Sequence, residues 1–374
     1  MPQRALARVN LAAIERNVAR LKRELSRPTG LCAVVKADGY GHGAVPAATA
    51  ALNGGASWLA VATAQEAFEL RSGGISAPIL VMGAVSDEEL PLALAAQSEL
   101  TVWSERFVDE VAAASARAPV GMHVKLDTGM GRLGTRSQRE ALTIAARVHD
   151  SEANLRLSGA MTHLATADDD PDFAALQLER FETFVAELRT RAPEVIAHAA
   201  NSAGTINLPQ GHLDMVRCGI AIYGCDPMHQ DPAKRGLEPA LELSSYVAAV
   251  KEADEGDSVG YGRRFIASAP TYIGTLPIGY ADGVRRALTN NCDVLVEGAR
   301  YPLVGTISMD NITIDLGGEP QVRIGAPATL IGADGAERQT AEDLAKRIGT
   351  INYEIVCGIS KRVPREYHHD GEPA

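Results

Sequence analysis

Between Leu31 and Gly43 the sequence is Leu-Cys-Ala-Val-Val-Lys36-Ala-Asp-Gly-Tyr40-Gly-His-Gly. The apolar first half, β-branched at its end, predicts a buried strand. Three glycines then alternate with a tyrosine and a histidine, which predicts a tight turn with close backbone approach. Burial lowers the pKa of a lysine, and a neutral amine can attack a carbonyl to form a Schiff base. For a single lysine at a strand end, reaching out into solvent is the commoner case.

The ten residues from Val34 to Gly43 resemble, almost literally, the pyridoxal 5'-phosphate (PLP) attachment signature of alanine racemases. Further motifs extend this resemblance over almost the whole chain. The resemblance implies a PLP-dependent amino-acid racemase in which Lys36 carries the cofactor and Tyr40 contacts it. The reaction it implies is the interconversion of L-alanine and D-alanine, which supplies D-alanine for peptidoglycan synthesis.

Composition narrows the classes of protein. With 374 residues the chain has room for about two domains, and 46% hydrophobic and 22% charged residues are ordinary for a globular protein. A net charge of −11 argues against nucleic acid or an anionic membrane as partner. No stretch reaches the ~18 apolar residues of a membrane span, and no signal-peptide core is seen. Five scattered cysteines predict no metal site, no disulfide framework and a cytoplasmic location.

Eight candidate strands alternate with helices over the first ~225 residues, which predicts an α/β fold with a (β/α)8 barrel of the TIM type. Helices are expected at 45–53, 64–72, 87–95, 105–116 and 173–191, and Asn10 is expected to cap another over 11–25. The candidate strands are 31–36, 58–62, 78–82, 100–103, 121–126, 156–161, 195–198 and 215–217.

The second part of the chain has short strands separated by Gly-rich turns, which predicts a mostly β C-terminal domain. The expected domains are 1–236 and 237–374, and residues 1–10 can pack with the second one. One helix is expected at 341–348 with Thr340 as its cap, and residues 367–374 are expected to be loose. The expected strands are 241–250, 272–276, 294–296, 312–314 and 328–331.

A charged run from Lys125 to Arg132 follows the fifth barrel strand, at the end of the barrel where active sites of this fold gather. By composition it is either a structural ion cluster or part of a site. The run resembles the second signature of alanine racemases. That resemblance implies that Arg132 contacts the cofactor phenolic oxygen and the substrate. It also implies that Lys125, which is often carbamylated in the family, orients this arginine.

Three further strand ends carry candidate residues. His163 follows the sixth strand, Ser202 the seventh, and Gly219 and Ile220 the eighth. Loops after strands seven and eight usually bind phosphate in such barrels. A satisfied polar histidine and a helix-capping serine remain open as alternatives. The resemblance implies that His163 links a cofactor-facing arginine to a catalytic tyrosine. The place of the other three in these loops predicts that they bind the cofactor phosphate, through the Ser202 hydroxyl and the two backbone amides.

Arg217, on the eighth strand, is either a structural salt-bridge partner or a cofactor residue. In the family its equivalent faces the pyridine nitrogen of PLP. Arginine stays protonated and only donates hydrogen bonds, so that nitrogen carries no proton of its own and the ring is a weaker electron sink. This disfavours transamination. It also argues against the decarboxylases of this fold, which usually place an acid there.

The second domain contributes Tyr261, which lies between two glycines in Gly-Tyr-Gly and is either a turn residue or a base. The resemblance implies that Tyr261 is the second catalytic base, opposite Lys36. It implies that Met309 places a backbone amide near the substrate carboxylate, and that Tyr353 reaches the phosphate. Tyr280 is expected at the entrance of the active site, and Asp310 is expected to support the residues of that entrance.

In the family the tyrosine base comes from the partner subunit, which implies a homodimer with shared active sites.

Two residues depart from the family pattern: Ser308 replaces a frequent cysteine, and Lys361 replaces a common tyrosine. A racemase of broader specificity, or one for serine or lysine, is an alternative. A non-catalytic PLP-binding protein is another, although such single-domain barrels lack the second domain and its tyrosine.

Overall fold

The computed structural model describes residues 3–26, 28–115, 119–319 and 321–374. The chain forms two compact units. Ile14–Gly39 and Ala44–Ile222 make up the first unit. Met1–Ala13, Tyr40–Gly43 and Tyr223–Ala374 make up the second.

The first unit contains a sheet of eight parallel strands. The first seven strands pair in chain order, each with the next, and the first also pairs with the eighth. The amides of Asp214 and Arg217 donate to the carbonyl oxygens of Ala197 and Ala200 at 3.1 and 2.9 Å, which joins the seventh strand to the eighth. The predicted (β/α)8 barrel is confirmed. In order, the barrel strands are Gly30–Val34, Trp58–Val61, Ile79–Val81, Glu99–Val102, Val120–Lys125, Leu155–Met161, Ile196–His198 and Met215–Cys218.

Short polar side chains cap the barrel helices and explain where they begin. Thr63 and Glu66 form a capping box, and the helix predicted at 64–72 is confirmed at both ends. Two helices, Gln138–His149 and Ser202–Asn207, were not predicted. The other helices are Leu11–Glu24, Ala44–Asn53, Leu90–Ala95, Glu105–Ala114 and Pro171–Arg189, with 3-10 turns at Pro209–Gly211 and Ile220–Tyr223.

Several helix ends differ from their prediction by one to three residues. The helix expected at 87–95 begins only at Leu90, because the Glu89 carboxylate accepts the amide of Ser86 at 3.1 Å and closes a turn before the helix. Residue 116, the expected end of the helix from Glu105, lies outside the described residues. In the described part of the chain, no helix is long and apolar enough to cross a bilayer.

The second unit is mostly β, as predicted. Its largest sheet contains Leu6–Asn10, Leu241–Tyr246, Asp293–Val296, Ala299–Pro302, Pro327–Asp334, Glu337–Gln339, Arg365–His369 and Glu372–Pro373. A second sheet contains Ala249–Ala253, Thr271–Leu276 and Ile312–Gly317, and Ser258–Val259 pairs with Phe265–Ile266. The helices are Ala341–Arg347 and Asn352–Cys357, with 3-10 turns at Pro232–Arg235, Tyr261–Arg263 and Arg286–Leu288.

Two predictions for this unit were wrong. The single strand expected at 241–250 is two strands in different sheets, because the amide of Val247 donates to Ala326 while that of Ala248 donates to Thr275. The tail expected to be loose is ordered, because Arg365–His369 pairs in parallel with Leu6–Asn10. Glu372–Pro373 then folds back onto this strand. The predicted cap Thr340 is confirmed and forms a capping box with Asp343.

Candidate active site

The first barrel strand ends two residues before Lys36, and the chain then turns in a left-handed conformation. Ala37, Asp38 and Tyr40 have φ of 52°, 54° and 53°, which non-glycine residues rarely adopt. The Glu66 carboxylate accepts the amide of Ala37 at 2.6 Å, and the carboxylate of Asp38 accepts that of Ala44 at 2.9 Å. Strained backbone of this kind clusters at functional sites. The predicted tight turn therefore follows Lys36 directly.

Two glycines of this segment are required by close approach within the second unit. A Cβ atom at Gly41 would lie 2.4 Å from the carbonyl oxygen of Val356, and one at Gly43 would lie 2.0 Å from the hydroxyl of Tyr367. Both glycines also have positive φ. The alternation of glycines in the motif thus has a steric cause.

Four cationic side chains of the barrel unit lie within electrostatic range of one another. Burial, together with the charges of Arg217, Arg132 and Lys36, lowers the pKa of Lys125 from 10.5 to about 8, against an opposing effect of Asp127. Lys36 follows strand one, Lys125 ends strand five with Arg132 in the loop beyond it, and Arg217 lies within strand eight. The structure thus brings together sequence-predicted residues that are up to 181 positions apart, as expected for the carboxyl ends of barrel strands.

Asp127 does not serve as the ion-pair partner of Arg132. Its carboxylate accepts the amides of Gly129 at 3.1 Å and Gly131 at 2.9 Å, and the side chain of Arg136 donates to it at 3.2 Å. Asp127 therefore shapes the loop that carries Arg132, whereas Arg132 itself is exposed.

Arg217 is 2% exposed, and its guanidinium is held by the barrel. Nη1 donates to Nδ1 and O of His198 at 2.8 and 2.9 Å. Nη2 donates to the carbonyl oxygens of Thr162 at 2.7 Å and Ala199 at 2.9 Å, and lies 3.2 Å from Nδ1 of His163. Nη2 has two N–H groups for these three acceptors, so one N–H is shared between two of them. Together the bonds occupy four of the five N–H donors, and within the described residues only Nε–H has no protein acceptor. Burial lowers the pKa of this guanidinium to about 10, so it stays charged at neutral pH.

His163 is neutral in this setting. Burial, together with the charges of Arg217, Arg132, Lys125 and Lys36, holds its pKa well below the ordinary 6.5. Because arginine only donates, Nδ1 of His163 accepts and its proton lies on Nε2. Of the expected link between arginine and catalytic tyrosine, the structure contains the contact of Arg217 with His163, and the connection onward to the tyrosine stays a prediction.

Ser202 lies in the loop after the seventh strand and is 3% exposed. Its Oγ accepts the amides of Gly219 at 2.9 Å and Ala221 at 3.3 Å. Asn201, not Ser202, caps the following helix through a bond from the amide of Gly204. Ser202 therefore joins the loops after strands seven and eight, and its hydroxyl hydrogen is left to donate.

In the second unit, Tyr40 and Tyr353 lie close together. Their ring centroids are 6.0 Å apart, and the ring of Tyr40 lies 5.1 Å from that of Tyr223. Tyr40 is buried, and Tyr353 is partly buried in the helix Asn352–Cys357. That helix was not predicted.

The other candidates of the second unit share one set of connected loops. The hydroxyl of Thr306 donates to the carbonyl oxygen of Tyr261 at 2.6 Å. The amide of Tyr280 donates to Ser308, and that of Ala281 to Met309, both at 3.0 Å. Tyr261, Tyr280 and Met309 are 74%, 43% and 51% exposed, so these loops carry three exposed large side chains.

A buried carboxylate supports these loops. Asp282 accepts the amide of Gly279 at 2.8 Å and pairs with Arg4 and Arg362. Arg362 also pairs with Asp310 at 2.5 Å. Of the departures from the family pattern, Ser308 closes a turn by donating to the carbonyl oxygen of Asn311 at 2.8 Å. Nothing in the structure explains Lys361.

The residue that sequence analysis missed is His198, the principal side-chain partner of Arg217. The sequence could have indicated His198, because a histidine at the end of a buried barrel strand lies at the end of the barrel where the active site is expected. Its importance depends on the neighbouring strand, which a local motif does not specify.

Comparison with known proteins identifies the family of the chain. The alanine racemase N-terminal domain family matches residues 9–227, and the C-terminal domain family matches residues 240–367. An alanine racemase from Nostoc sp. is 41% identical over 372 residues, with 97% of this chain and 95% of the relative covered. One from Symbiobacterium thermophilum is 42% identical, with 96% of both covered. The crystal structure of alanine racemase from Streptomyces lavendulae has a TM-score of 0.93 at 36% identity and covers 98% of both chains. The chain therefore belongs to the alanine racemase family.

Proposed function

We propose that this protein interconverts L-alanine and D-alanine with PLP, and so supplies D-alanine for peptidoglycan synthesis in the cytoplasm. The observation that carries the proposal is the bonding of Arg217. Four of its donors are fixed by the barrel, and Nε–H has no acceptor among the described residues. A buried arginine with one directed donor fits the pyridine nitrogen of the cofactor, which accepts a hydrogen bond there without gaining a proton.

PLP, when bound, acidifies the Cα–H of an amino acid by delocalising the electrons left behind. The residues present fit this group. Lys36 supplies the amine to which it attaches, and Arg132 lies among the cations of the barrel mouth to contact its phenolic oxygen. The Ser202 hydroxyl and the Ile220 amide at the start of its 3-10 turn support binding of the phosphate. The Gly219 amide donates to Ser202 and helps by orienting that hydroxyl.

We propose that Tyr40 and Tyr353 complete the phosphate site with their hydroxyl groups. Their neighbouring rings in the second unit support a joint role. Lys125 fits the carbamate role, because a pKa of about 8 makes its neutral amine available to CO2, and the resulting anion would lie among cations that it can orient.

Racemisation requires a proton to leave one face of Cα and return to the other. We propose that Lys36 serves one face and Tyr261 the other, with His163 as a neutral positioning residue. In a homodimer with shared sites, Tyr261 of one subunit serves the barrel of its partner. The exposure of Tyr261, Tyr280 and Met309 within one chain supports such an interface. The Met309 amide is proposed to bind the substrate carboxylate, and Asp310, through its pair with Arg362, to support that loop. The domain division 1–236 and 237–374 is kept as a proposal.

The test is incubation of the PLP-loaded protein with single L-amino acids, followed by chiral chromatography. Formation of D-alanine as the preferred product is expected. Faster racemisation of serine or lysine would replace the substrate assignment with the corresponding racemase. Bound cofactor without any racemisation would favour a non-catalytic PLP-binding protein.

A further inference from the structure

A line of hydrogen-bonded side chains crosses the interior of the barrel and ends at Arg217. Glu99 begins the fourth strand, His123 lies within the fifth, and His198 ends the seventh. Oε2 of Glu99 lies 2.9 Å from Nε2 of His123, and Nδ1 of His123 lies 2.8 Å from Nε2 of His198. Nδ1 of His198 then lies 2.8 Å from Nη1 of Arg217. The line, called the Glu99 relay below, connects the amino ends of the barrel strands with the carboxyl ends.

Only one arrangement of protons satisfies every bond in the Glu99 relay with neutral histidines. Arg217 can only donate, so Nδ1 of His198 accepts and its proton lies on Nε2. That proton is donated to Nδ1 of His123, which places the proton of His123 on its Nε2 as well. The last donor meets the carboxylate of Glu99, which only accepts. Burial and the charge of Arg217 hold the pKa of His198 well below its ordinary value, in agreement with a neutral ring.

The neighbouring strands leave room for the Glu99 relay. A Cβ atom at Gly159 would lie 2.0 Å from Nδ1 of His123, and one at Gly121 would lie 2.2 Å from Oε2 of Glu99. The ring of Trp58 packs edge-on against His123, with centroids 5.7 Å apart. Any side chain at either glycine would displace a member of the relay, so the packing of the barrel is built around it.

The charges at the two ends of the relay are complementary. Within the described residues, the acceptors of Arg217 are three carbonyl oxygens and two histidine nitrogens, all of them neutral. The negative group on this network is Glu99, whose side chain is 12% exposed and also pairs with Arg156 at 2.6 Å. A carboxylate bonded to one side of an imidazole raises the basicity of the other nitrogen, and hydrogen bonds in a chain polarise one another.

On the basis of the function proposed above, we propose that Glu99 is a positioning residue for Arg217. Acting through His123 and His198, its carboxylate strengthens Nδ1 of His198 as an acceptor and holds the guanidinium in one orientation. The donor Nε–H of Arg217 is thereby aimed at a single point. Glu99 begins its strand, away from the carboxyl ends of the strands that carry the proposed site, so its effect on the reaction is transmitted by the relay.

The test compares Glu99→Gln with Arg156→Ala, which removes the surface partner of the same carboxylate and leaves the relay intact. In Glu99→Gln the charge is lost, and the new amide can donate to His123 and reverse both histidine tautomers, so that Nδ1–H of His198 opposes Arg217. We expect kcat for alanine to fall about tenfold, with KM within about twofold, because a charge-assisted bond is weakened. Arg156→Ala should keep the wild-type kcat and KM.

A second readout does not depend on racemisation. Nitrogen-15 NMR of protein labelled in its histidine rings distinguishes protonated from unprotonated ring nitrogens, with or without PLP. In the wild-type protein, His123 and His198 should both carry their proton on Nε2. In Glu99→Gln both should show mixed tautomers. His123→Phe keeps a ring over Gly159 but interrupts the relay, and it should lower kcat to a similar extent. This variant replaces Glu99→Gln in the test if Glu99→Gln does not fold.

Unchanged kcat and unchanged tautomers in Glu99→Gln would overturn the proposal, as would wild-type kcat in a folded His123→Phe. An equal loss of kcat in Arg156→Ala would also overturn it, because the ion pair with Arg156 and not the relay would then matter. A wild-type protein that does not racemise alanine would reject the proposed function alone, since the tautomers test the relay independently.

Discussion

Nη2 of Arg217 lies 3.2 Å from Nδ1 of His163, and the barrel also holds this arginine through His198 and three carbonyl oxygens. The guanidinium therefore has a fixed direction before any ligand is bound. A lysine at this position has three N–H donors on one nitrogen, so it cannot reproduce the planar fork of two nitrogens that binds His198 and His163 separately.

Arg217→Lys is predicted to lower kcat/KM for alanine about a hundredfold or more, because at least two charge-assisted bonds are lost. Pyruvate from transamination should rise relative to racemisation. Arg71→Lys is the control, since Arg71 also donates to carbonyl oxygens, those of Ala96, Ile75 and Ala77, but lies outside the site. Wild-type kcat/KM in Arg217→Lys would contradict the assignment.

The lowered pKa of Lys125 predicts that the free energy of unfolding depends on pH in a specific way. Its pKa is lowered from 10.5 to about 8, so between these values the unfolded chain holds a proton that the folded protein has released. The free energy of unfolding therefore gains about 3 kcal/mol from this residue as pH rises through that range. Lys125→Met should lack this gain in urea unfolding carried out in CO2-free buffer.

The exposed Lys251→Met serves as the control and should keep the wild-type pH dependence. Added bicarbonate should reduce the gain in the wild-type protein, because a carbamylated lysine no longer titrates. Equal pH dependence of wild type and Lys125→Met would show that Lys125 is not the perturbed group.

Ser202→Ala should weaken PLP binding and the fold together. The buried amides of Gly219 and Ala221 lose their acceptor, which costs about 1–3 kcal/mol of stability, and the cofactor loses a hydroxyl donor. PLP affinity, measured by absorbance titration, is expected to fall about tenfold. Ser98→Ala, which removes a buried hydroxyl bonded to Ala93, should lower stability but leave PLP affinity unchanged. Equal PLP affinity in the two variants would remove Ser202 from the site.

Substituting two glycines separates the cost of a positive φ from the cost of steric overlap with a neighbouring side chain. Gly43→Ala combines positive φ with a Cβ 2.0 Å from the Tyr367 hydroxyl, whereas Gly74→Ala has positive φ and open space. We expect Gly74→Ala to cost about 1 kcal/mol and Gly43→Ala at least about 2 kcal/mol more, since overpacking adds to strain. Equal losses in urea unfolding would show that the tail strand carrying Tyr367 yields to the added methyl group.

The sequence predicted what depends on local chemistry. A few adjacent residues are enough to predict each of these features: Lys36 with its turn, the eight strands, and the cap at Thr340. The partners of Arg217 could not be predicted in this way. His198 contacts Arg217 only because strands seven and eight meet where the barrel closes. His123 and Glu99 are 75 and 99 residues away from His198 along the chain, and nothing in their local sequence connects them.

The ordered tail and the divided strand at 241–250 have the same explanation. Arg365–His369 is a strand because Leu6–Asn10 offers it an edge, and the break near Val247 follows the positions of two separate sheets. Such pairings are set by tertiary structure, which overrides local strand preference.

The most direct test of shared two-base catalysis mixes two inactive variants, Lys36→Ala and Tyr261→Phe, under conditions in which subunits exchange. Each variant alone should lack racemisation, while Tyr261→Phe keeps the absorbance of bound PLP. A mixed dimer contains one site with both Lys36 and Tyr261, so the mixture should recover about a quarter of wild-type activity. Mixed dimers that are present by mass spectrometry but form no D-alanine would contradict the account.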